Sequence, residues 1–350
     1  MSAASEGVPG AAAPAPAPAP DVWASPRRLP FALSPEGLGF LEMAAEDYAA
    51  ASFLDGRLLE THGPVHWSAW TDVEAAARAA PATADWIFHM GHVGSTLISR
   101  ILGRVDGVFA LREPAILREF VAAERGTDPR LGTVTRLLSR VWRPDQRALI
   151  KATSFVTALG PSILSAQGEA RAILLFAAPQ GHIAGLLAGE ASSRDVAALH
   201  AARAARLRRR LGPLPGLEAM SPGPRAALAW ACELMGLADL AAAAPGRMMW
   251  VDFDRFLQEP GPGLARLLGH LGQDASPGVV EALLRSPEFG RYAKDQRHAF
   301  DANARRAVIA QALATHAQEV ERGLSWLNSL GAAYPDFAQA ARLSAAARGV

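Results

Sequence analysis

Between the apolar run Trp86, Ile87, Phe88 and the amphipathic stretch after it, the chain reads Gly91-His92-Val93-Gly94-Ser95-Thr96. Strand, glycine turn and helix is the geometry of an anion cradle, because the first amides of a helix are unpaired donors backed by the positive end of its dipole. Gly91 and Gly94 allow close backbone approach. The amides at Gly94, Ser95 and Thr96 open towards an anion, the two hydroxyls add donors, and His92 adds an imidazole nitrogen. The equivalent ATP-binding loop, G-x-x-x-x-G-K-[ST], carries a lysine that is missing here, and Asp252 is the one candidate magnesium partner. A single phosphate or a phosphosulfate therefore suits the loop better than a nucleoside triphosphate. The plainer alternative is a strand–turn–helix corner whose glycines only relieve crowding. Further along, Glu113 follows the apolar run "GVFAL" and Lys151 ends "RALIK". Both would stand at the carboxyl edge of a sheet near the loop, unless Glu113 merely favours a helix dipole and Lys151 merely faces solvent.

The elements that must position these groups are legible as apolar runs. Strands are expected at 85–90, 107–111, 147–151, 171–176 and 247–252, separated by helical patterns at 95–104, 114–123, 131–141, 180–190 and 224–243. Apolar strands alternating with helices predict an α/β fold, a parallel sheet covered on both faces. Leu97, Ile98, Ile101 and Leu102 share one face of the helix after the glycine turn. Ahead of this region, residues 1–26 contain "AAAPAPAPAP" and read as an extended, disordered leader. Residues 27–84 read as a helical and irregular extension: a helix from Ser34 as cap and Pro35 as first position, a connection with Trp67 and Trp70, and a helix through "DVEAAARAA". Residues 85–350 read as the main domain, with a helical C-terminal part that includes a long segment at 302–329.

Composition narrows the function classes. The 350 residues carry a net charge of +1, so no global field favours nucleic acid or membranes. An arginine-rich helix is expected over 194–210, its cations explained by a solvated helix end rather than by nucleic acid. The single cysteine, Cys232, excludes an internal disulfide framework. Glu233 and Asp239 in the most apolar long stretch argue for a core helix rather than a span, and no signal segment is apparent, so the cytoplasm is the expected compartment. The histidines are scattered, and no Cys/His spacing indicates a metal.

With these residues in view, the chain resembles the P-loop sulfotransferase superfamily, whose phosphosulfate loop is P-[RK]-S-G-[TS]-[TS]-L after a strand. Gly91 stands at the proline, His92 at the basic residue and Val93 at the serine, and Gly94, Ser95, Thr96 and Leu97 match. The stretch "FHMGHVGSTLISRILG…LREP" is similar to a bacterial sulfotransferase-like branch with a GHxGSTL loop and an LREP segment. "ALIKATS", "ILLFAAPQGHIAGLL" and "MMWVDFDRFLQEPGPGLARLLGHLG" resemble later superfamily segments in the expected order, so that the resemblance spans residues 85–272.

The resemblance implies a single P-loop NTPase-like α/β domain that uses 3′-phosphoadenosine 5′-phosphosulfate (PAPS) as donor to a small hydroxyl or amine acceptor, without a metal. It implies Glu113 as base and His92 at the sulfate; beside them Lys151 is expected to supply a fixed cation, Ser154 a further donor, and Arg112 either to pair with Glu113 or to reach the anion. One departure is plain. An arginine and a serine clamp the donor's 3′-phosphate in the superfamily, and Ala177 and Gly185 stand in their places. Arg291 and Lys294, in the basic stretch "FGRYAKDQRHAFD", are the expected substitutes, and a solvated charged loop is the alternative. Two other functional readings stay open: a catalytically silent nucleotide- or anion-binding protein on the same fold, and a P-loop kinase or phosphotransferase. Neither the acceptor nor the oligomeric state is defined by the sequence.

Overall fold

A computed structural model describes residues 25–122, 126–217, 220–290 and 302–348. Five parallel strands form the central sheet: β4 (Asp85–His89), β5 (Val108–Arg112), β6 (Arg147–Lys151), β7 (Ala172–Phe176) and β8 (Met248–Asp252). Each lies within one residue of its expected bounds. Every residue of β4, β5 and β7 is buried, as required of strands covered on both faces. Trp86 and Phe88 of β4 are fully buried and stack with ring centroids 5.6 Å apart. Helices over Ser95–Leu102, Ile116–Ala122, Pro129–Leu138 and Pro179–Leu187 connect and cover the strands.

The strand order is β5-β6-β4-β7-β8. The chain leaves central β4, moves to one side through β5 and β6, then returns to the other side through β7 and β8. The order therefore reverses at β4. In an open parallel sheet a crevice forms outside the carboxyl ends of the strands at such a reversal, because the flanking connections run to opposite faces. The glycine loop follows β4 and sits at this crevice. Register places the other candidates beside it: Arg112 aligns with Lys151, Lys151 with Ile87, and the Glu113 amide donates to the Lys151 carbonyl at 2.7 Å.

The N-terminal region departs from expectation. The helix expected from Ser34 is instead a hairpin, with β1 (Arg28–Leu33) antiparallel to β2 (Gly37–Glu42), and β3 (His66–Ala69) completes a three-stranded sheet. The Ser34 side chain does accept from the chain ahead of it, but from the amides of Glu36 (3.2 Å) and Gly37 (3.0 Å), which closes a tight turn. A Cβ on Gly37 would lie 2.2 Å from the Ser68 carbonyl oxygen, so this glycine serves close strand approach. Helix returns only at Ala45–Ala50, and the helix through "DVEAAARAA" forms as Trp70–Ala79. The expected 1–26 leader lies, up to residue 24, outside the described residues.

Two long expected helices are each broken in two. Leu199 (φ −94°, ψ 2°) divides Glu190–Ala198 from His200–Leu211, and His316 (φ −115°, ψ 24°) divides Ala302–Thr315 from Ala317–Ala333. The arginine cluster of 194–210 folds partly inward. Arg203 and Arg206 lie 3.5 and 3.3 Å from Glu233, and Arg210 pairs with Asp239, both acids on Pro222–Ala243. That helix is long and apolar enough to cross a membrane, and 67% of its apolar window is buried within the protein.

Candidate functional site

The glycine loop opens into a cleft of about 840 Å³. Gly94 caps the helix Ser95–Leu102 in a left-handed conformation (φ 65°, ψ 18°), and a Cβ there would fall 1.9 Å from Phe253 Cζ. Only glycine meets both demands. Gly91 is different: its φ is not positive, and an added Cβ would meet nothing within 4 Å. Ser95 and Thr96 line the cleft, whereas Val93 turns its side chain into the core. His92 is exposed at the mouth, with Nδ1 3.4 Å from Ser192 Oγ on the helix Glu190–Ala198. His92 (φ 65°) and Glu113 (φ 53°) are the non-glycine residues of positive φ among the described residues, and both face this cleft. Left-handed backbone at a side chain with a Cβ costs about 1–2 kcal/mol, and such positions cluster at sites.

One end of the cleft is a closed network of opposite charges. Glu113 Oε1 accepts from the fully buried Lys151 ammonium, and Oε2 accepts from Arg118 Nη2 (3.1 Å) and Thr153 Oγ1 (3.3 Å). Arg118 also lies 3.5 Å from Asp55, which holds Arg57 through two side-chain bonds of 2.8 and 2.6 Å. Burial alone pushes the Glu113 carboxyl up, but the Lys151, His89 and Arg118 charges outweigh it and hold it below the usual carboxylate range. Behind this pair, His89 faces two carbonyls, Nδ1 to Met90 O at 2.6 Å and Nε2 to Ala152 O at 2.8 Å. A neutral imidazole donates only one of these. The carbonyls favour the charged ring, yet burial and then Lys151 dominate and push His89 down to about 4. Phe53 walls this end, with the Arg57 guanidinium 4.1 Å and the Lys151 ammonium 5.3 Å from its ring centre.

The other end is basic. His182, from the helix Pro179–Leu187, is pushed down to about 3 by burial first and then by the His92, Arg305 and Arg203 charges. Arg305 donates to Asp254 Oδ1 at 2.7 Å, and its guanidinium carbon lies 4.9 Å from the Phe253 ring centre. Gly181, Gly185 and Gly189 line this wall, and Asp195 is the acid that shares it with Arg203.

The structure thus brings together Gly91, His92, Gly94, Ser95, Thr96, Glu113 and Ser154 on one cleft, with Lys151 directly behind Glu113. It does not bring in Arg112. That guanidinium donates to the carbonyls of Tyr48, Ala49 (3.1 Å) and Ala51 (2.8 Å), at the C-terminal end of Ala45–Ala50, and is 4% exposed. Arg112 is a helix-end cation, committed to the carbonyls that close Ala45–Ala50. Asp252 is likewise committed, accepting from the amides of Asp254 (2.8 Å) and Arg255 (3.1 Å) as the cap of Phe253–Gln258 rather than waiting for magnesium. Ala177 is fully buried and its carbonyl accepts from Trp230, while a Cβ on Gly185 would lie 3.1 Å from Ile309 Cδ1. Arg291 and Lys294 lie outside the described residues. Sequence reasoning missed Arg118, His182, Arg203 and Arg305. The H-I-A-G-L spacing after β7, which puts His182 and Gly185 on successive turns, was the available signal for His182.

No protein-family model matches the chain, and no curated protein sequence does. Among solved structures, the chain is similar to the sulfotransferase domain from the curacin biosynthetic pathway: 14% identity, 71% of this chain, 98% of that one, TM-score 0.39. A sulfotransferase from Alicyclobacillus acidocaldarius is similar at 12% identity, over 69% and 94% of the two chains, with a TM-score of 0.39. Mouse sulfotransferase SULT7A1, complexed with PAP, is similar at 9% identity, over 76% and 96%, with a TM-score of 0.32.

Proposed function

We propose that this chain is a sulfotransferase of the GHxGSTL and LREP type, working in the cytoplasm, that moves a sulfuryl group from PAPS to a hydroxyl or amine of a small molecule. The observation that carries the reading is the Gly94-capped loop, whose helix-end amides and Ser95 and Thr96 face the same cleft as an ionised Glu113. PAPS supplies an activated sulfuryl group on a 5′-phosphate leaving group. The residues here fit that end of the donor: a glycine-bounded cradle at a helix N-terminus suits a phosphate, and the cleft is large enough for a nucleotide with a small partner.

Each residue then has a task. Glu113, already ionised, is the acceptor for the proton of the incoming hydroxyl or amine, with Thr153 and Arg118 fixing one oxygen. Lys151 keeps that carboxylate ionised and oriented, and carries positive charge into the dry floor of the cleft. His92 reaches the mouth of the cleft, where it can donate to charge gathering on anionic oxygens. Phe53 and Phe155 give the Glu113 end apolar walls for the body of the acceptor.

The test is incubation with sulfur-labelled PAPS and a panel of phenols, alcohols and amines. Labelled sulfate ester or sulfamate forms with the wild-type chain and not with Glu113→Gln; release of no labelled product from any acceptor contradicts the reading. A silent anion-binding protein is the second reading, and Ala177 and Gly185 favour it, because neither contributes a charged or hydroxyl group. A kinase is disfavoured by the missing lysine and by the capping role of Asp252.

A further inference from the structure

At the carboxyl edge of the sheet, β4 parts from β6 where the strand order reverses. Their register runs to Ile87 and Lys151, and the Ala152 amide closes it on the Ile87 carbonyl at 3.1 Å. The next acceptor along β6 is the Ala152 carbonyl, and a side chain takes it. His89, the final residue of β4, brings Nε2 to 2.8 Å from that oxygen. Its Nδ1 lies 2.6 Å from the Met90 carbonyl, at the root of the glycine loop. Lys151 and Thr153, on either side of Ala152, bond different oxygens of the Glu113 carboxylate. The carbonyl that His89 reaches therefore sits between the two residues that hold Glu113.

An imidazole is a demanding choice for this place. It is buried beside the Lys151 ammonium, which together keep it neutral, so it has one proton for two carbonyls. An apolar side chain would avoid that conflict but would offer the buried Ala152 carbonyl no donor. We propose that His89 is a positioning residue for Glu113: it donates from Nε2 to the Ala152 carbonyl and so sets the strand end at which Lys151 and Thr153 both meet the carboxylate. This rests on the reading of Glu113 as the proton acceptor of the proposed reaction. The charges that bear on Glu113 are Lys151 from β6, Arg118 from the helix Ile116–Ala122 and His89 from β4, with Asp55 and Arg57 behind Arg118. His89 itself contacts the two carbonyls, so its hold on the carboxylate runs through the backbone.

The experiment is acid titration of the full chain, labelled at the glutamate δ-carbon and followed by carbon NMR, with the Glu113 signal assigned by its loss in Glu113→Gln. His89→Gln carries an amide nitrogen near the place of Nε2 and can still donate to Ala152. His89→Asn carries one near the place of Nδ1 and is too short to do so. Glu113 should take up its proton at a higher pH in His89→Asn than in the wild type, and His89→Gln should restore the wild-type titration. Neither variant has a ring charge, so lost charge alone would move both alike. Equal Glu113 titrations in the two variants, shifted or not, overturn the proposal. Should either variant fail to unfold cooperatively in urea, nitrogen NMR of the His89 ring in the wild-type chain decides. A proton on Nε2 is the expected result, and a ring protonated on Nδ1 alone overturns the proposal. Neither reading needs a donor or an acceptor molecule. A chain that forms no labelled product thus loses the sulfotransferase reading, while the tie from His89 to Glu113 is judged separately.

Discussion

The two ends of the cleft solve opposite electrostatic problems. Around Glu113 every charge has a counter-charge in contact: Lys151 on one oxygen, Arg118 on the other, and Asp55 with Arg57 behind Arg118. Around His182 the charges that act on it are those of His92, Arg203 and Arg305, and among the described acids Asp254 and Glu233 are already engaged while Asp195 shares the wall. A buried pair removed from water must be almost fully satisfied internally, and it gains fixed geometry rather than stability. A cleft wall with an excess of one sign instead concentrates counter-ions at its surface. The first end is neutralised by its own residues, and the second carries an excess of basic groups. The glycine loop joins them.

The comparison is broken most directly at that junction. Gly94→Ala places a Cβ inside van der Waals contact of Phe253 and forces alanine to φ 65°. Nucleotide binding should be lost, and stability in urea should fall by about 2–5 kcal/mol. At the satisfied end, Glu113→Gln should lower turnover by about 10²–10⁴-fold in the labelled-sulfate assay with nucleotide affinity unchanged. A loss of affinity instead would make Glu113 part of the anion site.

Acid sharpens the contrast further. His89 and His182 have folded values of about 4 and about 3, below the unfolded reference near 6.5. Groups depressed on folding contribute stability that is fully present above the unfolded value and is lost as pH falls towards the folded one. Denaturant unfolding should therefore show roughly 3 kcal/mol less stability at pH 5 than at pH 7, and His182→Gln should remove about half of that difference. Glu113 obeys the same sign in a lower window. Its contribution is complete above the usual carboxylate range and is lost only as pH falls through its lowered native value. The smallest effect belongs to Arg112→Met, which should cost about 1–2 kcal/mol of stability and leave nucleotide affinity untouched. A change in affinity would restore Arg112 to the site.

The five strands were legible because strands buried on both faces must be apolar at every position, and that pattern is local. The loop was legible because a glycine at a helix start answers to a local left-handed φ, whereas its close approach to Phe253, the first residue after β8, is a tertiary fact. The three-stranded sheet was not legible. Gly37 is required by the approach of Ser68, a tertiary fact, and Ser34-Pro35-Glu36 satisfies a turn as well as a helix start. Arg112 and Glu113 show the limit within the site itself. They are neighbours in the chain, and nothing in "LREP" says which side chain lines the cleft and which binds the end of Ala45–Ala50. Arg203 and Arg305 are separated from the loop by long stretches of chain, and each sits in an arginine-containing helix where charged residues are common. Only the fold brings them to one wall.

On the proposed function, the loop from Gly91 to Thr96 holds the phosphate end of a nucleotide. Its most direct test is calorimetric titration of adenosine 3′,5′-bisphosphate into the wild-type chain beside Gly94→Ala. Saturable one-to-one binding to the wild-type chain and none to the variant is the expected result. No binding to the wild-type chain at millimolar nucleotide, or equal binding to both, would contradict it.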